Sequence, residues 1–141
     1  MNGVRITHIG GPTVLIEAAG RRLLTDPTFD PPGRTYRFGW GTSSRKLTGP
    51  AIAPSDLGEL DAVLLTHDHH QDNLDDAGRT LLPAAGAVVT TAPGARRLGG
   101  NARGLADWAN TTLLTGDPAS EVAKLKRGEG KDIFVFGSAF M

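Results

Sequence analysis

The segment from Leu64 to Arg79, LLTHDHHQDNLDDAGR, concentrates side chains that can bind a metal ion. It contains three of the protein's four histidines, and the whole sequence contains no cysteine. Imidazole nitrogens and carboxylate oxygens are therefore the ligands available for zinc or a similar cation. A His-x-His pair directly after a strand directs both rings to one side, so we predict that His67 and His69 bind one ion.

The residues around this pair offer further ligands and hydrogen-bond partners. Asp72 is a candidate metal ligand and a candidate catalytic carboxylate that orients a water molecule. His70 and Asn73 reach the same place if the loop turns towards it. Asp68 and Asp75 are expected to accept hydrogen bonds from the imidazoles and to fix their tautomers. Histidines also occur in polar turns without a metal, and a purely structural cluster is the alternative interpretation.

A buried strand is predicted to position this cluster. Residues 61–66, DAVLLT, form an apolar run without alternation, which is typical of a strand covered on both faces. In layered α/β proteins, ligands bind beyond the carboxyl ends of such strands. The histidines follow this strand directly, so the sequence places them where chemistry is expected.

The remaining elements are predicted to be short, because glycine and proline interrupt the chain repeatedly. Residues 26–54 hold many of these residues and are predicted to form one long loop. His8 is expected to be a packed, hydrogen-bonded histidine on the apolar side of the first strand, alongside Val4 and Ile6. Strands are predicted over 4–8, 14–16 and 22–25, and these three form a meander. The other predicted elements are a strand over 87–91, a helix over 74–82 interrupted by Gly78, and a helix over 93–98.

Composition excludes several classes of partner. The formal net charge is +0 and the basic residues are scattered, so we expect neither nucleic acid nor a membrane surface as a partner. No apolar run approaches the roughly 18 residues that span a bilayer. The first residues, MNGVRITHIGG, lack the pattern of a signal peptide, so a cytoplasmic location is expected.

Residues 1–107 resemble the first half of the metallo-β-lactamase-fold hydrolases, in particular the branch similar to the ascorbate-phosphate lactonases. The similarity lies in ITHIGGPTVLIEAAGRRLLTDPTFD, SRKLTGPAI and DAVLLTHDHHQDNLDDAGR. The resemblance implies an α/β fold that is half of an αββα sandwich. It also implies a divalent metal, zinc or alternatively manganese, which activates water to attack an ester, lactone, amide or phosphodiester of a small-molecule substrate.

The signature of that superfamily is His-x-His-x-Asp-His, and this sequence departs from it. Carried over residue by residue, His67 and His69 would bind a first metal and Asp72 a second. The spacing is one residue longer, so His70 can replace one of them, and Asn73 stands where the last histidine would be. An amide oxygen binds zinc more weakly than imidazole does. No histidine follows His70, so the family's downstream ligands are not found and the hydrolase is expected to be truncated or inactive.

Residues 108–141 resemble instead part of the dihydrofolate-reductase-like family that includes the riboflavin-pathway reductases. The similarity lies in WANTT, LTGD, the helix over 122–126 and VFGS. We predict a βαβ unit with strands over 111–115 and 133–136 and a helix that Asp117 caps. The resemblance makes Gly137 and Ser138 the candidate cofactor-binding residues. NADPH binding is not expected, because the helix that would complete a phosphate site does not follow them.

The sequence therefore predicts two units, residues 1–107 and 108–141, and leaves three functions open. The chain is a metal-dependent hydrolase, an NADPH-dependent reductase fragment, or a structural or interaction fragment without chemistry. Half of a sandwich would expose a large apolar sheet face. We expect the C-terminal unit or a second copy of the chain, as a homo-oligomer, to cover that face.

Overall fold

The computed structural model describes residues 3–105 and 117–127. Its strands form one mixed six-stranded sheet and one two-stranded hairpin, accompanied by short helices. The elements are β1 (Arg5–Gly10), β2 (Thr13–Ala18), β3 (Arg21–Thr25), β4 (Thr35–Gly39), β5 (Thr42–Arg45), β6 (Ala62–Leu64), α1 (Asp76–Arg79), β7 (Ala87–Thr90), α2 (Ala92–Leu98), β8 (Ala102–Gly104) and α3 (Pro118–Arg127).

The six-stranded sheet has the order β1-β2-β3-β6-β7-β8. The first three strands pair antiparallel, which confirms the predicted meander. β3, β6, β7 and β8 pair parallel, so their carboxyl ends lie at one edge. The predicted α/β class is confirmed, and the sheet edge that follows β3 and β6 carries the histidine cluster.

One face of the sheet forms the core. Leu15, Leu24, Val63 and Val88 lie opposite one another across four neighbouring strands, and none is more than 3% exposed. This row packs against apolar side chains from the segments between the strands, which are Phe29, Leu57, Leu60, Leu74, Leu82 and Ala85. Burial on this side holds the ends of β3 and β6 in a fixed position.

The side of the first strand that was predicted to be buried faces solvent in the structure. Val4 and Ile6 are 65% and 64% exposed, and His8 is exposed too, whereas Ile9 is buried. The His8 Nε2 atom lies 3.0 Å from the carbonyl oxygen of Gly11. The predicted hydrogen bond of His8 is therefore present, but its predicted packing was wrong, because β1 is an edge strand and only its other face meets the core. Coverage of the exposed face by a second copy stays a prediction.

The long loop predicted over 26–54 contains the hairpin β4–β5 instead. Its turn uses a left-handed backbone at Gly39, Trp40 and Gly41, with φ of +87°, +51° and +73°. Glycine is the residue that adopts such angles freely, so the glycines that suggested a loop in fact make the turn. Tyr36 anchors the hairpin, since its side chain is buried and its hydroxyl lies 3.3 Å from an oxygen of Asp30.

The first predicted helix is shorter in the structure, whereas α2 agrees with the prediction over 93–98 to within one residue. The helix expected over 74–82 is only α1, followed by a single 3-10 turn at Leu82–Ala84. Asp75 caps α1 by accepting a hydrogen bond from the Gly78 amide at 2.7 Å. Asp117 caps α3 in the same way, with 2.9 Å from its carboxylate to the Ser120 amide, as predicted.

Several predictions fall outside the described residues. They are the strands over 111–115 and 133–136, the unit boundary at 107–108, and the candidate cofactor residues Gly137 and Ser138. Within residues 3–105 and 117–127, no helix has the length and apolar character needed to cross a membrane.

Candidate metal centre

The histidine cluster begins where two parallel strands end side by side. The Asp26 amide donates to the Leu64 carbonyl at 3.1 Å, and the Leu65 amide donates to the Val89 carbonyl at 2.8 Å. These bonds extend the pairing of β6 with both neighbours just beyond the strands. His67 therefore leaves the sheet from a fixed backbone, as the sequence predicts for residues after a buried strand.

Three side chains converge beyond this point. His67, His70 and Asp72 each offer one ligand atom, and these atoms all lie within 4.8 Å of one another. The His70 carbonyl accepts the amides of Asn73 and Leu74 at 3.2 and 3.1 Å, so the loop closes into a turn immediately after the histidines. This turn returns Asp72 towards His67, which spacing alone did not determine.

His69 stands beside this group. Its ring centroid lies 5.1 Å from that of His67 and 4.7 Å from that of His70, and its side chain is 61% exposed. The structure thus assembles His70, rather than His69, with His67 and Asp72. The lengthened signature had left the register open, and the predicted pairing of His67 with His69 stays a prediction.

Asp68 turns away from the cluster towards α2. Its carboxylate pairs with the Arg97 guanidinium, with 2.8 Å between Oδ2 and Nε, and it lies 3.8 Å from the Nδ1 atom of His69. The hydrogen bonds from Arg97 hold the pKa of Asp68 below its usual value. The ion pair of Asp68 with Arg97 therefore attaches the histidine loop to α2. The expected hydrogen bond from an imidazole to Asp68 stays a prediction.

Asp75 has no described contact with the histidines. It is fully buried, and its oxygens accept hydrogen bonds from the amides of Gly78 and Asp30 at 2.7 and 2.6 Å. Lys46 reaches the same carboxylate, with 3.3 Å between Nζ and Oδ2, and Tyr36 approaches it at 3.4 Å. These contacts are structural, since they join α1 to the hairpin, and the predicted role of Asp75 beside a metal stays a prediction.

Two residues that sequence reasoning missed support His67. Asp26 follows β3 and is 5% exposed, and its Oδ1 atom accepts the Thr66 amide at 2.8 Å. The Thr66 hydroxyl lies 3.0 Å from the Nδ1 atom of His67, and Asn73 donates its side-chain amide to the same hydroxyl at 2.8 Å. The available signal in the sequence was the position of Asp26 directly after β3. This signal could be used only with the knowledge that β3 pairs with β6, and the two strands are far apart in the sequence.

Burial sets the protonation of two members of this group. Burial lowers the pKa of His67, and the neighbouring His69 and His70 lower it further. A neutral imidazole keeps a lone pair for a metal, so this shift prepares His67 as a ligand. Burial also raises the pKa of Asp26, against the opposing effect of the hydrogen bonds from Thr66.

A cavity of about 630 Å³ adjoins the cluster. It is lined by apolar residues and by a smaller set of polar ones. The apolar residues are Pro12, Val14, Leu64, Leu65, Val89 and Leu105, and the polar residues are Thr25, Asp26, Thr66, Asp72 and Asn73. The ring of Phe38 in the hairpin lies 6.0 Å from that of His70. An apolar cavity with a few convergent polar groups is the usual form of a small-molecule site.

The donor set fits a divalent metal. Zinc in catalytic sites is held by about three protein ligands of nitrogen and oxygen type, and two imidazoles with one carboxylate supply that set. His70 and Asp72 are exposed, which leaves room for a substrate. The residues present therefore suit an open metal site.

Comparison with known proteins agrees with this geometry. No family model matches the chain. The chain is 25% identical over 132 residues to the N-acyl-phosphatidylethanolamine-hydrolyzing phospholipase D 1 of Caenorhabditis elegans. The aligned region covers 93% of this chain and 33% of that protein. The isothiocyanate hydrolase from Delia radicum gut bacteria superposes with a TM-score of 0.57 and 28% identity, over 70% of this chain and 40% of that one.

The chain carries part of the metallo-β-lactamase fold. Two further structures share this fold at lower identity. A possible metal-dependent hydrolase from Veillonella parvula has a TM-score of 0.57 and 20% identity over 71% of this chain and 41% of that one. A metallo hydrolase from Ignicoccus hospitalis has a TM-score of 0.51 and 17% identity over 85% of this chain and 44% of that one.

The chain spans about a third of the curated relative and about 40% of the first structure. The predicted resemblance of the chain to part of a metallo-β-lactamase fold is thereby confirmed, and the boundary at residue 107 stays a prediction. The structural neighbours are described as hydrolases, two of them as metal-dependent or metallo hydrolases. The described part of the fold includes the strand end that carries the histidines.

Proposed function

We propose that this chain is the metal-binding part of a metal-dependent hydrolase. The observation that carries the proposal is the convergence of His67, His70 and Asp72 within 4.8 Å at the end of a buried strand. Each belongs to a residue type that binds divalent cations. The similarity of the chain to described hydrolases, one of them 28% identical, supports the same conclusion.

We propose zinc as the metal, because imidazole nitrogen suits zinc better than it suits magnesium or calcium. A bound zinc ion would supply Lewis acidity and would lower the pKa of a water molecule towards neutrality. His67 and His70 would hold the ion as neutral imidazoles. Asp72 would act as a third ligand or would accept a hydrogen bond from the attacking water, as its position beside both rings allows.

The substrate is proposed to be a small molecule with an ester, lactone or phosphodiester bond. The cavity beside Asp72 is lined by apolar residues together with a few polar ones, so it favours a substrate that carries an apolar group next to the bond to be hydrolysed. The named relatives act on different substrates. One is named for an N-acylated phospholipid and the other for an isothiocyanate. The cavity supports the class of substrate rather than one compound. We expect this chemistry to take place in the cytoplasm.

Zinc titration of the metal-free protein tests the proposal. The unsubstituted chain is expected to bind one zinc ion, and His67→Ala, His70→Ala and Asp72→Asn are each expected to weaken binding at least about tenfold. His8→Ala is the matched control, because His8 is an exposed histidine on the edge strand. Equal zinc binding by all four variants would contradict the proposal.

Activity is measured separately with 4-nitrophenyl acetate and bis(4-nitrophenyl) phosphate as probes. Hydrolysis that requires zinc and is lost in Asp72→Asn would support the hydrolase. Zinc binding without hydrolysis of either probe would favour the alternative of a fragment without catalytic activity. His69→Ala is measured in the zinc titration as well. If it weakens zinc binding as much as His70→Ala does, the result would favour the predicted pair of His67 and His69 as ligands.

A further inference from the structure

We propose that Asp26 and Thr66 are positioning residues that fix the ring proton of His67 on Nδ1 and present Nε2 to the cation. This inference rests on the proposed metal site. It assigns a role to two residues outside the ligand cluster, one of which lies 40 positions from its partner in the sequence. The tautomer of His67 is assigned from the number of hydrogen bonds that each neighbouring group can donate or accept.

The Thr66 hydroxyl is surrounded by three polar groups. Its Oγ1 atom lies 3.0 and 3.1 Å from the two carboxylate oxygens of Asp26, 2.8 Å from the side-chain nitrogen of Asn73, and 3.0 Å from the Nδ1 atom of His67. A hydroxyl has one proton to donate and two lone pairs to accept with. The three partners therefore use its full capacity.

Only one distribution of protons satisfies all three contacts around an ionised Asp26. A carboxylate accepts and cannot donate, so the Thr66 proton goes to Asp26. The amide nitrogen of Asn73 donates and cannot accept, so it uses one lone pair of the hydroxyl. His67 must then donate from Nδ1 to the remaining lone pair. If Nδ1 were unprotonated, it would accept the only hydroxyl proton and leave Asp26 facing lone pairs.

The position of Asp26 is itself strongly constrained. Its side chain is buried, and Oδ1 also accepts the Thr66 amide at 2.8 Å, so two donors of one residue face the same carboxylate. Its backbone has a φ of +30°, an angle that residues other than glycine rarely adopt. A buried residue held in an unfavourable conformation beside candidate metal ligands is a candidate for a functional constraint.

The consequence for His67 is a prepared ligand atom. With Nδ1–H donated to Thr66, the lone pair of the neutral ring lies on Nε2, at the far side of the imidazole. Hydrogen bonding of the second nitrogen is the common way in which proteins orient a ligating histidine. Here a hydroxyl transmits the effect of a carboxylate that does not itself contact the ring.

The tautomer can be read directly from the ¹⁵N chemical shifts and long-range ¹H–¹⁵N correlations of the histidine rings in metal-free protein. We expect His67 to show a protonated Nδ1 and an unprotonated Nε2 at a pH where its ring is neutral. Observation of the opposite tautomer in the unsubstituted protein would overturn the proposal. Protonated Asp26 that donates to Thr66 would produce that opposite result.

Three substitutions separate positioning from a general structural effect. Thr66→Val removes the hydroxyl at nearly constant shape and is expected to release the His67 tautomer and weaken zinc binding about tenfold to a hundredfold. Thr66→Ser keeps the hydroxyl and is expected to retain both the tautomer and the affinity. Asp26→Asn introduces an amide donor and is expected to shift His67 towards the Nε2–H form. Unchanged His67 shifts and zinc affinity in Thr66→Val would overturn the proposal.

The readout does not depend on hydrolysis. If the probes in the activity assay are not hydrolysed, the tautomer of His67 in metal-free protein still tests the role of Asp26 and Thr66. If zinc does not bind at all, the metal site fails while the tautomer assignment is judged on its own spectrum. Because the decisive spectrum is that of the unsubstituted chain, a variant that fails to fold leaves the test intact.

Discussion

Asp68 and Arg97 form an ion pair that joins the histidine loop to α2. Nε of Arg97 lies 2.8 Å from Oδ2 of Asp68, and Arg79 adds a hydrogen bond of 3.0 Å to the Asp68 carbonyl. The carboxylate is 7% exposed while the Arg97 side chain is half-exposed. The pair thus restrains the backbone between His67 and His69 without occupying the metal cluster.

Arg97→Ala is expected to loosen this loop. The buried Asp68 carboxylate would lose its cation, so zinc affinity should fall about tenfold and the urea midpoint should decrease. Isothermal titration and urea unfolding measure the two effects. Arg96→Ala is the matched control on the same helix, because Arg96 is exposed and has no ion pair among the described residues. An equal effect of both substitutions would show that the Asp68 pair is unimportant.

Acid is expected to weaken the same contact. Arg97 holds the pKa of Asp68 in the folded protein below its value in the unfolded chain, which is about 3.9. The unfolded chain therefore takes up this proton first as the pH falls, so the stabilisation present above about pH 4 is lost below it. Urea unfolding between pH 7 and pH 3 should show a smaller acid dependence in Asp68→Asn than in the unsubstituted protein. Parallel curves would contradict this assignment.

Gly78→Ala is expected to disrupt the packing of α1. A Cβ atom at this position would lie 1.9 Å from the carbonyl oxygen of Pro27, which is a backbone atom that cannot rotate away. The helix gains about 1 kcal/mol from alanine, but overpacking of this severity costs about 3 kcal/mol or more, so the steric effect dominates.

Gly3→Ala is the control for this substitution, since a Cβ atom added at Gly3 would meet no other atom within 4 Å. Its unfolding free energy should change by less than about 0.5 kcal/mol. Chemical denaturation of both variants checks the prediction. A Gly78→Ala protein as stable as the Gly3→Ala protein would show that α1 can move away from Pro27.

Lys46→Met is expected to separate the hairpin from α1. Asp75 is fully buried and Lys46 is the cation that pairs with it among the described residues, so the substitution leaves a buried charge uncompensated. The expected loss is about 3 kcal/mol of unfolding free energy. Lys124→Met removes a surface pair with Glu121 and should cost less than about 1 kcal/mol. Equal losses would place the Asp75 charge in a more hydrated environment than the structure shows.

Local sequence patterns were sufficient to predict the elements that carry the candidate ligands. The strand before His67 is a continuous apolar run, and the candidate ligands lie in the next few residues, so neither depended on long-range contacts. The meander was predicted for the same reason, because its strands are joined by short glycine turns. In contrast, Asp26 could not be assigned to the site, since its partner Thr66 is 40 positions away.

The hairpin and α1 show why composition misled. Glycine and proline between 26 and 54 indicated a loop, although three residues with positive φ are compatible with a tight turn between strands. Helix propensity alone predicts that Gly78 interrupts a helix. Its actual constraint is the close approach of the Pro27 backbone, which belongs to a segment that follows β3. Both errors arose from the use of local propensity where tertiary contacts decide.

The candidate ligands of the cluster are close together in sequence, whereas Asp26, which contacts His67 through Thr66, follows a different strand. A synthetic peptide of residues 64–79 would contain the histidines and Asp72 yet lack Asp26. Such a peptide would chelate ions through either nitrogen of each ring, with little preference among metals. Selectivity in this protein would therefore arise only once the parallel pairing of β3 with β6 has formed, which makes metal discrimination a property of the tertiary structure.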